Sequence, residues 1–275
     1  MMQSKSKKNE ESGSKVGGGV SVSDPSTLRA VILAAGEGTR LRPMTLDVPK
    51  CLVEVAGVPL LGRMMDPLVE AGVEEIVVVT GYLSEKVDEY LKSVERRVPC
   101  RTVYNPRFNT ANNYYSLLVA EDALKGAPFL KVDGDVIFES KVITHVLNGV
   151  GGIRLGVDFR EDLGHEEMKV RMDEEGRKGR VAELSKAVAP KSAHGESMGI
   201  EYITAESGEE LFKELHRMAD EGLDNEYYEF AYDRLAQKGH DVRAVDISGF
   251  RSTEIDDIQD LKRAESLFHD SCGEC

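Results

Sequence analysis

From Arg29 onward the hydrophobic pattern of the chain alternates between two periods. Residues 30–33 (AVIL) and 75–81 (EIVVVTG) are unbroken apolar runs closed by turn residues, the pattern of strands buried on both faces. Between them, residues 60–72 (LLGRMMDPLVEAG) place apolar side chains at helical spacing and stop at Gly72. The alternation continues with a helix over 84–94, a short strand over 101–105, a helix over 112–124 and a strand over 129–135 that ends in acids. Past Lys141 the pattern predicts a helix over 142–149 and shorter strands at 152–157, 167–172, 180–185 and 198–203. Helices over 208–220 and 226–239, a strand over 241–247 and a helix over 258–268 close the chain. Strands alternating with helices predict an α/β fold of three layers, α/β/α, around a mixed, mostly parallel sheet.

Residues 1–28 are Ser, Gly, Lys and Glu with little to bury, and read as a disordered leader. The expected organisation is one domain over 29–268 followed by a frayed tail, 269–275. Cys272 and Cys275 form a CxxC in that tail, but no second pair with zinc-site spacing accompanies it. Four cysteines in 275 residues fit reduced thiols and a cytoplasmic setting. No apolar stretch approaches the roughly 18 residues of a membrane span. A formal net charge of −14 disfavours nucleic acid as a partner.

That acidity makes one cationic stretch conspicuous. The first strand runs into LAAGEGTRLRPMT, residues 33–45, and then PKCL, residues 49–52, which together supply Arg40, Arg42 and Lys50. Gly36 and Gly38 allow close backbone approach and leave amides free to face a ligand. Arginine and lysine beside them suit a polyphosphate. The alternatives fit badly, since GxxxxGK[ST] is absent and GEGTRL lacks the third glycine of GxGxxG.

LAAGEGTRLRPMT followed by PKCL resembles the signature of nucleotidyltransferases that join a nucleoside triphosphate to a phosphorylated small molecule. The resemblance implies their Rossmann-like fold. It also implies that Leu33, Ala35, Gly36, Gly38, Thr39 and Arg40 bind nucleotide and that Lys50 is the main phosphate contact.

Transfer onto an acceptor whose attacking oxygen is already ionised needs relief of anion repulsion more than it needs a base. Mg²⁺ held by one or two carboxylates supplies that relief. KVDGDVIF offers Asp133 and Asp135, and TEIDDIQD offers Glu254, Asp256 and Asp257. Both stretches resemble the superfamily, which implies Asp135 and Asp256 as the metal ligands. Asp257 and Asp260 are left to start the last helix. HEEMK, residues 165–169, lacks a second histidine at i+4, so a metalloprotease is excluded and a solvated edge is expected.

The stretch YNPRFNTANNYYSLLVA narrows the resemblance to CTP:phosphocholine cytidylyltransferases and their phosphonate-using relatives, from about Arg29 to Leu267. It implies an acceptor-binding half at about 141–256, and Asn112, Asn113 and Ser116 as readers of the base beside Asp133. An asparagine carbonyl can accept from the cytosine amino group, while one of the two asparagines is expected to cap the helix they begin, leaving the other spare. For the acceptor it implies Lys186 in ELSKAV, Tyr227, Tyr228 and Glu229 in NEYYEFAY, and Glu254; the i,i+4 spacing of Tyr228 and Tyr232 equally fits a pair facing the core. Relatives carry aromatic residues before EID, where this chain has GFRS, a poor cage for trimethylammonium. The expected activity is therefore an Mg²⁺-dependent cytidylyltransferase, with CTP and a phosphocholine-, 2-aminoethylphosphonate- or 2-hydroxyethylphosphonate-like acceptor as partners. The alternatives are a sugar-1-phosphate nucleotidyltransferase using UTP, dTTP or GTP, and a regulatory subunit of the same fold.

Overall fold

The first strand, β1 (Arg29–Ala34), lies at the centre of a sheet that is nine-stranded among the described residues. The structure is a computed structural model and describes residues 27–95, 97–173 and 179–269. The expected leader up to residue 26 and the CxxC of the tail lie outside the described residues.

After β1, three single 3-10 turns carry the chain across Thr39–Leu41, Met44–Leu46 and Lys50–Leu52. A two-rung hairpin, β2 (Glu54–Val55) and β3 (Val58–Pro59), leads into α1 (Leu60–Glu70). The next elements are β4 (Glu75–Thr80), α2 (Ser84–Ser93), β5 (Cys100–Tyr104), α3 (Asn113–Leu118) and α4 (Glu121–Leu124). They are followed by β6 (Phe129–Asp133), β7 (Val136–Phe138) and α5 (Ser140–Leu147). The second half contains β8 (Ile153–Asp158), β9 (Lys169–Met172), β10 (Val181–Ser185) and β11 (Gly195–Ile203). It closes with α6 (Ala205–Asp220), α7 (Glu229–Gln237), β12 (Val242–Asp246), β13 (Ser252–Glu254) and α8 (Ile258–Phe268).

The sheet runs β10-β9-β11-β6-β1-β4-β5, with β8 paired to β11 and β12 paired to β8. β6, β1, β4 and β5 are parallel neighbours, as the continuous apolar runs predict. Antiparallel pairing is concentrated around β11, which opposes β6, β8 and β9.

Alternate residues of β1 and β4 feed two cores. Ala30, Ile32, Ile76 and Val78 pack with α1, α2, α5 and α8, whereas Val31, Leu33, Val77 and Val79 pack with α3, α4, α6 and α7. Helices on both faces produce the three layers.

Two helical readings change. The helix expected over 112–124 is two helices, because Ala120 donates to the Leu117 carbonyl and Ala123 to that of Ala120, tightening the chain into a 3-10 turn. The helix expected from 226 begins at Glu229. The backbone N–H of Tyr228 donates to the Asn113 side chain, at 3.0 Å, rather than to the chain around it.

Candidate active site

β1 and β6 run side by side in parallel, with Leu33 opposite Asp133, so their C-terminal ends open on one edge. A cleft of about 480 Å³ lies there, where parallel α/β sheets present ligand sites. Gly134 makes the close approach possible. Its N–H donates to the Leu33 carbonyl at 3.0 Å, and a Cβ at this position would lie 2.5 Å from that oxygen.

The loop after β1 folds back on itself. Gly38 has φ +60°, and a Cβ there would meet the Lys50 side chain at 3.0 Å. The Thr45 hydroxyl donates to the Gly38 carbonyl at 2.7 Å. Glycine is therefore required both for the left-handed turn and for the contact that lays the loop across Lys50.

β13 pairs antiparallel with β7, which brings residues 254–256 alongside 135–136. The Ile255 N–H donates to the Asp135 carbonyl at 2.9 Å. Asp257 and Asp260 then form a capping box at the start of α8, as the dipole argument predicts, which leaves the Asp256 carboxylate available to the cleft.

The four charged residues implied by the resemblance converge. The Lys50 ammonium donates to Asp135 at 2.7 Å and to Asp256 at 2.8 Å, and Arg40 lies 2.8 Å from the other oxygen of Asp256. Burial works against the lysine charge, but the two carboxylates outweigh it and hold the Lys50 pKa above its usual value. Burial likewise opposes the Asp256 charge, and Lys50 and then Arg40 overcome it, leaving that carboxyl below its usual range.

The donor set fits a divalent cation. Asp135 and Asp256 already meet on one cationic centre, the lysine ammonium. Glu254 is crowded as well: burial first, then Asp135, Glu196, Asp256 and Asp133, push its carboxyl well above the usual range. Among the described residues no group of three acidic, histidine or cysteine side chains forms a closed metal cage. Two carboxylates with the remaining positions left to phosphates and water is the arrangement that suits Mg²⁺.

Leu33, Ala35, Gly36, Gly38 and Thr39 line the cleft, as do Asn112, Asn113, Ser116 and Asp133. One asparagine caps the helix as expected, but the carbonyl of the other is committed as well. Asn112 Oδ1 caps α3 by accepting from Asn113 N–H at 2.8 Å, while its amide donates to the Asn225 carbonyl at 3.0 Å. Asn113 Oδ1 accepts from Tyr228 N–H. Both carbonyl oxygens thus serve the backbone, and the Asn113 amide N–H₂ is the group left to face a base. Ser116 Oγ accepts from the Asn105 amide at 2.9 Å.

Lys186, Tyr227, Glu229 and Glu254 also line the cleft, with the Lys186 ammonium 4.8 Å from the centre of the Tyr227 ring. Tyr228 requires a correction, because it does not present its ring to an acceptor. It is fully buried, packs edge-on against Tyr232, and its hydroxyl donates to Asp133 at 2.6 Å. Tyr227, half-buried before the helix, borders the cleft, whereas Tyr228 at the N-cap of α7 turns inward.

The HEEMK stretch is not wholly a solvated edge. His165 is exposed, but Glu166, Glu167 and Met168 form cleft wall. Lys169 is fully buried and donates to the carbonyls of Glu167 and His165, which fixes this turn. Sequence reasoning also missed Glu196 and Ser197 of the wall, and the buried pair Lys131–Glu201 at 2.9 Å behind it. A signal existed in FLKVD and GESMGIEYI, where single charges interrupt buried strands and must find partners.

This fold and site define a nucleotidyltransferase. Residues 29–148 match the family model described as Nucleotidyl transferase. More particularly, the chain is 28% identical over 246 residues to the choline-phosphate cytidylyltransferase of Streptococcus pneumoniae, covering 87% of this chain and 98% of that protein. It is 31% identical over 255 residues to the CMP-5'-(3-aminopropyl)phosphonate synthase of Streptomyces rubellomurinus, covering 89% of this chain and 39% of that longer relative. The solved CTP:phosphocholine cytidylyltransferase of Streptococcus pneumoniae superposes with a TM-score of 0.72 at 26% identity, covering 88% of this chain and 99% of that one. Among the described residues no helix is long and apolar enough to cross a membrane.

Proposed function

We propose that this protein transfers CMP from CTP to a small phosphorylated or phosphonate acceptor and releases pyrophosphate. The observation that carries the reading is the meeting of Lys50 with Asp135 and Asp256, and of Arg40 with Asp256, at the mouth of a glycine-turn cleft. It agrees with relatives whose names specify cytidylyl transfer to a phosphate and CMP attachment to a phosphonate.

The glycine-loop amides, Arg40 and Lys50 bind the triphosphate, with Lys50 exchanging a carboxylate partner for a phosphate oxygen. Asp135 and Asp256 would hold Mg²⁺, which when bound offsets the charge of the phosphates. Lys186 draws the acceptor phosphate or phosphonate to the opposing side. An acceptor oxygen, already ionised, forms a bond to the α-phosphorus while the bond from that phosphorus to the β-phosphate bridge breaks. No side chain has to remove a proton, and catalysis consists of alignment and charge neutralisation. Asn113 N–H₂ can donate to cytosine N3, a position that carries a hydrogen in uracil.

The test is pyrophosphate release with each nucleoside triphosphate, Mg²⁺ and a panel of phosphorylated amines, phosphonates and sugar phosphates. CTP should exceed the other nucleotides by at least about tenfold in kcat/KM. Faster turnover of UTP with a sugar 1-phosphate contradicts the reading.

A further inference from the structure

The segment between β5 and α3 puts Phe108, Ala111 and Asn112 on one wall of the cleft, and Asn113 opens α3 beside them. None of residues 106–113 is buried, so apolar packing contributes little to where this wall stands. Asn105, fully buried, closes the segment on itself. Its Oδ1 accepts from Arg107 N–H at 2.8 Å, and its amide donates to Ser116 Oγ at 2.9 Å. Asp224, in the turn between α6 and α7, grips the same segment from outside at both ends. One carboxylate oxygen accepts from the Arg107 guanidinium at the entry, at 2.6 Å, and the other from the Tyr114 hydroxyl at the exit, at 2.8 Å. The Asp224 carbonyl also accepts from Asn112 N–H at 2.7 Å. Hydrogen bonds from Tyr114 and then Arg107 hold the Asp224 carboxyl below its usual range, which keeps it ionised at neutral pH. Asp224, Arg107 and Tyr114 themselves stand outside the cleft lining.

The turn that carries Asp224 is the fixed member of this contact. Leu223 N–H donates to the Met218 carbonyl and Glu226 N–H to that of Leu223, and the helix that follows is seated by the buried Ala231 and Tyr232. A carboxylate anchored there and bonded to both ends of a loop with no buried residue sets the angle at which that loop meets a ligand. Asn113 is the side chain whose aim depends on the angle. It precedes Tyr114, its carbonyl is held by Tyr228 N–H, and its amide is the group left to face a base.

We infer that Asp224 is a positioning residue for base recognition: through Arg107 and Tyr114 it aims the Asn113 amide, and so sets discrimination between nucleobases without touching the nucleotide. This rests on the cytidylyl-transfer reading above for which base is preferred.

The test is calorimetric titration of CTP and of UTP, each with Mg²⁺, into the wild type, Asp224→Ala, Asp224→Asn, Arg107→Ala and the Asp224→Ala, Arg107→Ala double variant, with circular dichroism to establish folding. The wild type should prefer CTP, and Asp224→Ala and Arg107→Ala should each lower that preference by at least about fivefold. Asp224→Asn keeps an acceptor for Tyr114 and should lower it less. The double variant should lose no more than either single change, because both act through one contact. A merely structural role weakens both nucleotides alike and does not move the ratio. An unchanged ratio in the folded variants overturns the inference and leaves cytidylyl transfer standing. If the wild type prefers UTP, cytidylyl transfer falls; a fivefold loss of that preference in the variants then supports the inference, and its retention overturns it. Equal binding of the two nucleotides by the wild type overturns the inference alone, and binding of neither overturns both.

Discussion

Lys50 and Asp256 lie 206 positions apart in the chain and 2.8 Å apart in the fold. That contact joins the first loop to the last strand, and it exists because β13 lies against β7 and delivers Asp256 beside Asp135. Asp135→Asn and Asp256→Asn should each leave the thermal midpoint within a few degrees of the parent while reducing kcat by roughly 100-fold or more. Circular dichroism and pyrophosphate release check both halves. Full turnover in either folded variant removes the metal-holding assignment.

Gly134 separates Asp133 from Asp135, and a methyl group there would press on the Leu33 carbonyl and the Ala34 backbone at 2.5 and 2.9 Å. Neither contact can rotate away. Gly134→Ala should cost about 1–3 kcal/mol of stability and lower turnover by displacing the ends of β1 and β6. Urea denaturation measures the first effect and pyrophosphate release the second.

These two residues also show what the sequence made legible. The glycine turn, the strand ends and the acid pairs are local features, and their relation to β1 and β6 follows from parallel α/β geometry. The separation of Asp256 from Asp257 and Asp260 was legible too, since a capping box has a fixed spacing. Tyr228 was legible only as a choice between the acceptor and the core beside Tyr232 at i+4; the choice depends on where α7 starts, and the N–H of Tyr228 is held by a side chain 115 positions away, Asn113. The antiparallel placement of β11 was hidden for the same reason. Periodicity reports which faces are buried and says nothing about which strand lies opposite.

Glu201 gives a pH signature for this hidden region. It is fully buried beside Lys131, with Asp133 and Glu229 nearby, and burial pushes its carboxyl up to about 8 despite the lysine charge. A folded-state pKa above the unfolded value contributes stability that is complete below the ordinary glutamate range and is lost as pH rises through about 8. Between pH 5.5 and 9, the wild type should therefore lose on the order of 2 kcal/mol relative to Glu201→Gln. Denaturation curves of both proteins at the two pH values check this. A constant difference between them contradicts it.

Glu214 has the opposite sign. Its side chain is fully buried between α6 and α7, against Arg217 at 2.8 Å, Arg234 at 3.0 Å and Lys238. Burial alone raises a carboxyl, but hydrogen bonds from Lys238, Arg234 and Arg217 outweigh it and hold Glu214 at about 2. Its contribution is present above the ordinary glutamate range and is lost as pH falls toward about 2. Glu214→Gln should destabilise the protein by about 2 kcal/mol at neutral pH, with the difference shrinking in acid. Thermal melts at pH 7 and pH 3 follow both effects.

The most direct test of the central claim is calorimetric titration of CTP into the folded protein with and without Mg²⁺, repeated on Lys50→Ala. The cationic loop and the paired carboxylates predict Mg²⁺-dependent binding that weakens at least about tenfold in the variant. Failure of the folded wild type to bind any nucleoside triphosphate in the presence of Mg²⁺ contradicts it.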